Sequence, residues 1–479
     1  MKNIILTIGI ILGTIGITKA QNDVDALRYS YIGFGGTAKS IGAGGAYGAL
    51  GGDASCLSVN PAGIGIYRKS EFNFSANVLK GSTESSYLGT TREDMKYNFN
   101  FGNFSLIGAF KLDTARSKGW KYLNFGFGSN RLANFHNRID IEGRNTQNSL
   151  SDQYVILANG NNFDNLDSYS TALAWNTYLI DTLPGTTNSF ISAVPASDIK
   201  QRKLIETKGG INETYISLGG NYNNKLYIGG TFGFPSVRYV QESSYTENDD
   251  KDTINGFKSL TLNEHLKTTG SGINFKLGII FRPVDWVRLG AAVHTPTFYT
   301  LHDEFSSKMT TTFDNGKSYS DESKGGSFDY ELTTPMRAIG SIAFVIGKIG
   351  FISADYEVVN YTESQLRSKN YTFFDENDAI RQKYTSQSNL RIGGELNLKP
   401  FAVRAGYALY GSPYRTGIND ASRTSYTFGF GYRDKDFYLD FAYVLTTSTE
   451  DYYLYSIVPE ASKNKFSSNS LITTLGFRF

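Results

Sequence analysis

A single cysteine, Cys56, occurs among 479 residues, which excludes an intramolecular disulfide framework and any metal site built from several thiolates. Proline (10) and methionine (4) are scarce, and the formal net charge is only +2. That balance lacks the basic excess of a nucleic-acid binder. Beyond residue 20 no apolar run is long enough for a transmembrane helix. No nucleophile elbow, HExxH pair or Cys-His set appears, so the chain reads as a non-enzyme without a cofactor. Histidine is rare as well, with His136, His265, His294 and His302 the full set. His294 and His302 share a strand face but lie about 26 Å apart at ~3.3 Å per residue, too far to ligate one metal. Single axial ligation of haem stays open.

What is abundant is glycine (50), tyrosine (32) and phenylalanine (33), and the aromatics favour strands and membrane interfaces. The first 20 residues, "MKNIILTIGIILGTIGITKA", carry one cation, Lys2, then an apolar run and a small residue at Ala20. This is the layout of a secretory signal peptide, which places the mature start at Gln21. Glycine is densest in "GFGGTAKSIGAGGAYGALGGDASCLSVNPAGIGIY". No buried strand precedes these glycines and no βαβ unit surrounds them, which argues against a dinucleotide loop.

The rest of the chain alternates with period two. In "LRIGGELNLKPFAVRAGYALY", Leu390, Ile392, Leu396 and Leu398, then Phe401, Val403, Tyr407 and Leu409, oppose polar or tiny residues across a turn at Lys399-Pro400. Similar pairs turn at 221–224, 283–285, 347–348 and 433–436. Each is two strands of membrane-spanning length, and long polar stretches separate the pairs. Tight turns on one side and long loops on the other are the signature of an outer-membrane barrel. The expected fold is therefore all-β, a transmembrane antiparallel β-barrel of about 14 strands, an even number as single-chain bacterial barrels require. Parity puts both chain ends on the tight-turn side. The last strand sets Leu471, Leu475, Phe477 and Phe479 toward lipid.

Charges opposite the apolar set must face the lumen, because lipid does not tolerate them cheaply. They include Lys276, Arg282, Arg288, His294, Arg391, Glu395, Arg404 and Asp440. The plain expectation is that they brace the interior by pairing with one another. Lys276, Arg288, Arg391 and Arg404 are also candidates to hold a carboxylate ligand. The longest inter-strand stretch, 132–203, carries aromatics at mixed helical spacing. Tyr154, Trp175 and Tyr178 are candidates for a greasy groove there, with a cap in which they pack on each other as the competing expectation.

Four segments carry a resemblance: "GTAKSIGAGGAYGALGGDASCLSVNPAGIGIYRKSEFNFS" (36–75), "NFGFGSNRLANF" (124–135), "FRPVDWVRLGAAVHTPTFY" (281–299) and "GYALYGSPY" (406–414). The chain resembles the outer-membrane FadL/OmpP1/TodX family, in the Bacteroidetes-type branch often labelled as hemin receptors. The Asn60-Pro61-Ala62 tripeptide after the Gly-rich run is the most specific mark. The resemblance implies a fourteen-stranded barrel over 68–479 plugged by an N-terminal hatch over 21–67, with Gly51, Gly52, Asn60, Pro61 and Ala62 in the gate. It implies diffusion of long-chain fatty acids or hydrocarbons from a loop groove to a lumen pocket and out sideways at a kinked strand. By that analogy the third strand carries the kink, with Gly126 and Gly128 allowing it. The expected partners are a hydrophobic small molecule, outer-membrane lipid and, through the C-terminal strand, the barrel assembly machinery. The chain is expected to be a monomer of the cell outer membrane that binds no nucleic acid. A haem receptor and an adhesive barrel are the alternatives. Energised haem receptors generally have about 22 strands and a larger plug.

Overall fold

Alternating apolar and polar residues form strands that bury one face, and here the buried face points inward. A computed structural model of the chain describes residues 22–33, 35–113, 118–194 and 198–479. The expected leader, 1–20, lies outside the described residues. Fourteen antiparallel staves close into a barrel. They are β1 (Glu71–Tyr87), β2 (Thr90–Lys111), β3 in two pieces (Trp120–Asn134, Asn137–Asn145), β4 (Ile199–Tyr222), β5 (Leu226–Asn248) and β6 (Phe257–Val284). Two more broken staves follow, β7 (Val287–His294, Phe298–Phe313) and β8 (Gly326–Thr333, Arg337–Ile346). The remainder are β9 (Gly350–Asn360), β10 (Ser386–Leu398), β11 (Phe401–Tyr410), β12 (Arg423–Arg433), β13 (Phe437–Tyr452) and β14 (Ser462–Arg478). β14 pairs with β1 from Glu71↔Arg478 to Ser86↔Lys463, so no edge remains unpaired at the closure.

The outer face exposes Phe232, Leu277, Ile352, Leu398 and Phe428, while Asn73, Asp355, Thr427 and Asp440 are buried inside. An apolar surface of this extent suits lipid and not water. Near the tight turns it ends in an aromatic girdle, with Trp120 against Tyr222 and Trp286 stacked on Phe344. Leu471, Leu475, Phe477 and Phe479 take the expected lipid-facing positions.

Three expectations change. The β1–β2 connection is a tight turn at Leu88 and Gly89 with φ +46° and +81°, although it lies on the long-loop side. Two successive positive φ values match the right-handed twist of a hairpin, so both strands extend further than their polar sequence suggested. The stretch 132–203 is not all loop, because Asn137–Asn145 pairs with Thr207–Ile199 and leaves 146–198 as the true excursion. The chain's described start also lies on the long-loop side. There Asp23 pairs with Lys383 at 3.0 Å, and the Tyr384 hydroxyl donates to the Asp23 carbonyl.

From that point the hatch descends the whole lumen. Helix α1 (Asp23–Ser30) starts with a capping box between Asn22 and Asp25, which satisfies amides that would otherwise be orphaned. Helix α2 (Ala38–Gly42) is capped by Thr37. Two short turns, Ala54–Ser58 and Pro61–Ile66, then lead to Tyr67, whose hydroxyl donates to Glu71 at the start of β1. Above α1, the loop helix α5 (Phe374–Lys383) and the β9–β10 connection close the mouth. Helices α3 (Leu150–Ala158) and α4 (Thr171–Asn176) form a second cap with Tyr87, Tyr245, Phe257 and Tyr455.

Candidate transport path through the hatch

Asn60 is the joint between hatch and wall. Its Oδ1 accepts from the Ala62 amide at 3.2 Å, an Asx turn, and Pro61 occupies the first position of the following short helix, where its missing N–H costs nothing. Its Nδ2 donates to the carbonyls of Gly48, at 2.7 Å, and Ile279 on β6, at 3.1 Å. Gly51 and Gly52 sit in the left-handed region at φ +60° and +66°, and the Gly52 amide donates to Gly63 at 3.0 Å. The five hatch residues expected from sequence therefore meet in one place.

The wall opposite is built of glycine because the hatch backbone lies directly on it. A Cβ at Gly278 would sit 1.9 Å from Asn60 Oδ1, one at Gly229 2.3 Å from the Pro61 carbonyl, and one at Gly393 2.0 Å from the Ala43 carbonyl. Hydrogen bonds fasten the same surface. Thr427 Oγ1 donates to the Gly42 carbonyl and accepts from the Gly44 amide, Asp355 accepts from Gly48, and Asn124 donates to the Ile64 and Tyr67 carbonyls.

The lumen cations are largely engaged by buried acids. Lys276 pairs with Glu213, Arg391 lies between Asp355 (3.6 Å) and Glu357 (3.5 Å), and Arg404 bonds both Glu395 (2.6 Å) and Asp440 (2.7 Å). Arg288 differs, since it donates to the Leu50 carbonyl of the hatch. The bracing expectation thus describes these positions, and the four cations are not brought together as one anion cradle. Their acidic partners were legible in principle. Glu213 in "INETYISLGG" and Asp355 and Glu357 in "SADYEVV" share the lumen phase of the alternation.

The third strand departs from regular pairing, but not at its glycines. Gly126 and Gly128 pair on both sides, with Ile107 and Ser105 of β2 and with Ser217 and Tyr215 of β4. Gly126 instead makes room for the hatch, since a Cβ there would meet Leu57 and Ile64 at about 3 Å. The break comes later. The β2–β3 ladder ends at Asn103↔Asn130, while β2 continues along β1 to Thr90. Beyond that point side chains bridge the gap, with Asn134 donating to Asn98 and Arg92 to Asp140, both at 3.0 Å, while Arg131 turns the other way to the Gly209 carbonyl of β4 at 2.7 Å. Behind the gap lies a cavity of about 190 Å³, lined by Ile41, Leu132, Ala133, Val444 and Ile472 together with Asn77, Asn100 and Arg131.

The loop candidates separate. Tyr154 is buried in the cap, Trp175 stacks on Phe163 at 5.2 Å, and only Tyr178 faces outward, edge-on to Tyr319. These residues pack the cap and line no common groove. Each histidine also has a nearby polar partner: Val59 for His294, Asp329 for His302, Glu242 for His265 and Asn134 for His136. Among the described residues no cluster of three His, Cys, Asp or Glu side chains is arranged to hold a metal.

No family model and no curated protein matches the chain. A Pseudomonas aeruginosa FadL homologue superposes with a TM-score of 0.57 at 14% identity, over 94% of this chain and all (100%) of that one. This barrel has the FadL-type fold. The Pseudomonas putida toluene transporter TodX matches at a TM-score of 0.54 and 13% identity, over 94% of this chain and 100% of its own. The Ralstonia pickettii toluene transporter TbuX matches at 0.51 and 14%, over 93% and 99%. At such identities the likeness shows the fold alone.

Proposed function

We propose that the chain is an outer-membrane channel for small hydrophobic compounds, which enter beneath the loop cap and leave sideways through the gap between β2 and β3. The observation that carries this reading is the cavity of about 190 Å³ placed between the hatch and that gap. A cavity of about 150 Å³ takes one benzene molecule, so the space suits a monoaromatic compound or one end of an acyl chain. An extended long-chain fatty acid, the substrate class expected from sequence, needs the hatch to shift first. A path shielded from both water and the outer leaflet serves apolar cargo, and the glycine-seated hatch blocks open aqueous flow. TodX and TbuX, which share the fold, are toluene transporters, which supports cargo of this size.

The direct test is to isolate the protein in mild detergent and identify any copurified compound by mass spectrometry, then repeat with Leu132→Trp. A monoaromatic or fatty acyl compound present in the parent and lost from the variant is the expected result. A haem absorption band in place of such a compound would favour the haem-binding alternative.

A further inference from the structure

Besides Pro283 at the turn end of β6, three of the ten prolines stand inside the barrel wall: Pro235 in β5, Pro296 between the pieces of β7, and Pro335 between the pieces of β8. Proline removes a ladder donor and is normally kept out of paired strands. Here the losses line up. The β5–β6 ladder skips from Gly233↔Asn274 to Ser236↔Ser271. The β6–β7 ladder passes from His294↔Lys276 to Phe298↔Ile273, three residues opposing two. The β7–β8 ladder leaves its regular register at His294↔Arg337 and resumes it at Phe298↔Thr333, with a single main-chain bond between, from the Thr334 amide to the Thr297 carbonyl at 3.0 Å. Threonine hydroxyls substitute for main-chain acceptors, with Thr295 Oγ1 taking the Phe275 amide and Thr334 Oγ1 the Thr297 amide, both at 2.9 Å. Following the register through Asn103↔Asn130, Asn130↔Glu213 and Glu213↔Pro235, the Pro235 break lies on the row where β2 and β3 part. That row meets β7 and β8 at Tyr299↔Leu332, and the breaks at Pro296 and Pro335 lie two to four residues from it toward the tight turns.

Each side of the band is suited to a different part of a ligand. Toward lipid stand Phe298 (54% exposed), Met336 (45%), Phe232 and Phe234. Toward the lumen is a cavity of about 60 Å³ lined by Asn274, Thr295, Thr297, Thr334, Tyr29 and Arg391. The Tyr29 hydroxyl, Asn274 Oδ1 and Arg391 Nε are buried without a hydrogen-bond partner among the described residues. Buried polar atoms left unpaired are costly, and those of Tyr29 and Arg391 are donors able to serve an acceptor group.

We propose that this band is a second lateral doorway, between β7 and β8, which admits small amphiphiles from the membrane. The apolar body lies between Phe298 and Met336, and the hydroxyl or carboxylate head enters the cavity at Tyr29 and Arg391. The proposal rests on the transport reading and adds an entrance five staves from its exit.

The test uses the full chain carrying Thr297→Cys and Thr334→Cys, directly opposite positions, in nanodiscs containing lipopolysaccharide. A diazirine-bearing alkylphenol is photolysed with the reduced and the oxidised form of the same preparation, and labelled peptides are read by mass spectrometry. The expected result is saturable label on peptides bearing Phe298 and Met336 that falls several-fold on oxidation, with the folded band on gels unchanged. Saturable label confined to the Leu132 cavity in both forms would overturn the doorway and leave the transport reading standing. No saturable label anywhere would overturn both.

Discussion

From β9 round to β14 and into β1 every stave pairs with the next without a shift in register, whereas between β1 and β8 every ladder but the continuous β4–β5 one is interrupted within a few residues of one row. The unbroken wall is where α2 and the glycine-rich turn lie flush, held by Thr427, Thr474 and Asp355. The interrupted wall is where the cavities open and where α1 rests, with Arg28 over the Tyr239 ring and Arg337 bonded to the Ser30 carbonyl. Both walls fasten the hatch, the interrupted one through Ile279, Asn124 and Arg288; what the interruption adds is space beside the hatch, where the β2–β3 ladder ends.

The largest expected effect breaks the unbroken wall. Arg404→Met leaves the buried carboxylates of Glu395 and Asp440 with only the longer contacts of Arg433, at 4.0 and 3.6 Å, and is expected to lower stability by about 3 kcal/mol, read as a fall in the urea midpoint of the heat-modifiable band. On the interrupted side, Arg131→Met removes only a bond to the Gly209 carbonyl and is expected to cost about 1 kcal/mol. Equal losses would erase the distinction between the walls.

Next comes a pH effect confined to α1. Burial pushes the Asp25 carboxyl up to about 6, with nearby Arg28 opposing and Asp303 adding to the rise. The folded state thus binds the proton more tightly than the unfolded one. Docking of α1 is strongest near pH 4 and weakens as pH rises to about 6, by up to about 3 kcal/mol. Hydrogen exchange, corrected for intrinsic rate, is expected to show α1 losing protection over that window while Ala38–Gly44 keeps it.

Smaller effects sharpen the same contrast. Gly393→Val drives a side chain into the Ala43 carbonyl and is expected to cost about 1–3 kcal/mol and to open the hatch to protease. Gly340→Ala, with open space around it, and Tyr178→Ala on the cap surface are each expected to stay within about 0.5 kcal/mol of the parent.

The strand rhythm, the lipid face and the hatch joint were legible because alternation and the Asn-Pro pair express local physics. What escaped was relational. That Lys276 and Arg404 brace the interior by pairing is the plain expectation, but which acids they meet, Glu213 and Asp440 across the ladder, is set by register and not by neighbours in sequence. Gly126 and Gly128 read as a kink because glycine permits one, yet the hatch needs the space at Gly126, the neighbouring strands crowd Gly128, and the register breaks at Arg131–His136. Tyr87 and the Leu88-Gly89 turn sat in a stretch polar enough to pass for loop, and only the buried face of that hairpin shows why it is strand. Tyr154 was legible as helical, with a packed cap as one of two expectations, and what escaped was the set that buries it, which includes Tyr87, Tyr245, Phe257 and Leu454, far apart in sequence.

The central claim is that a small hydrophobic compound occupies the space between the hatch and the parting of β2 and β3. Crystals soaked in bromobenzene and measured at the bromine absorption edge test it most directly. Anomalous density among Leu132, Val444 and Ile472 is the predicted result; bromine found only on the lipid face or in the loop cap, with that cavity empty, would contradict it.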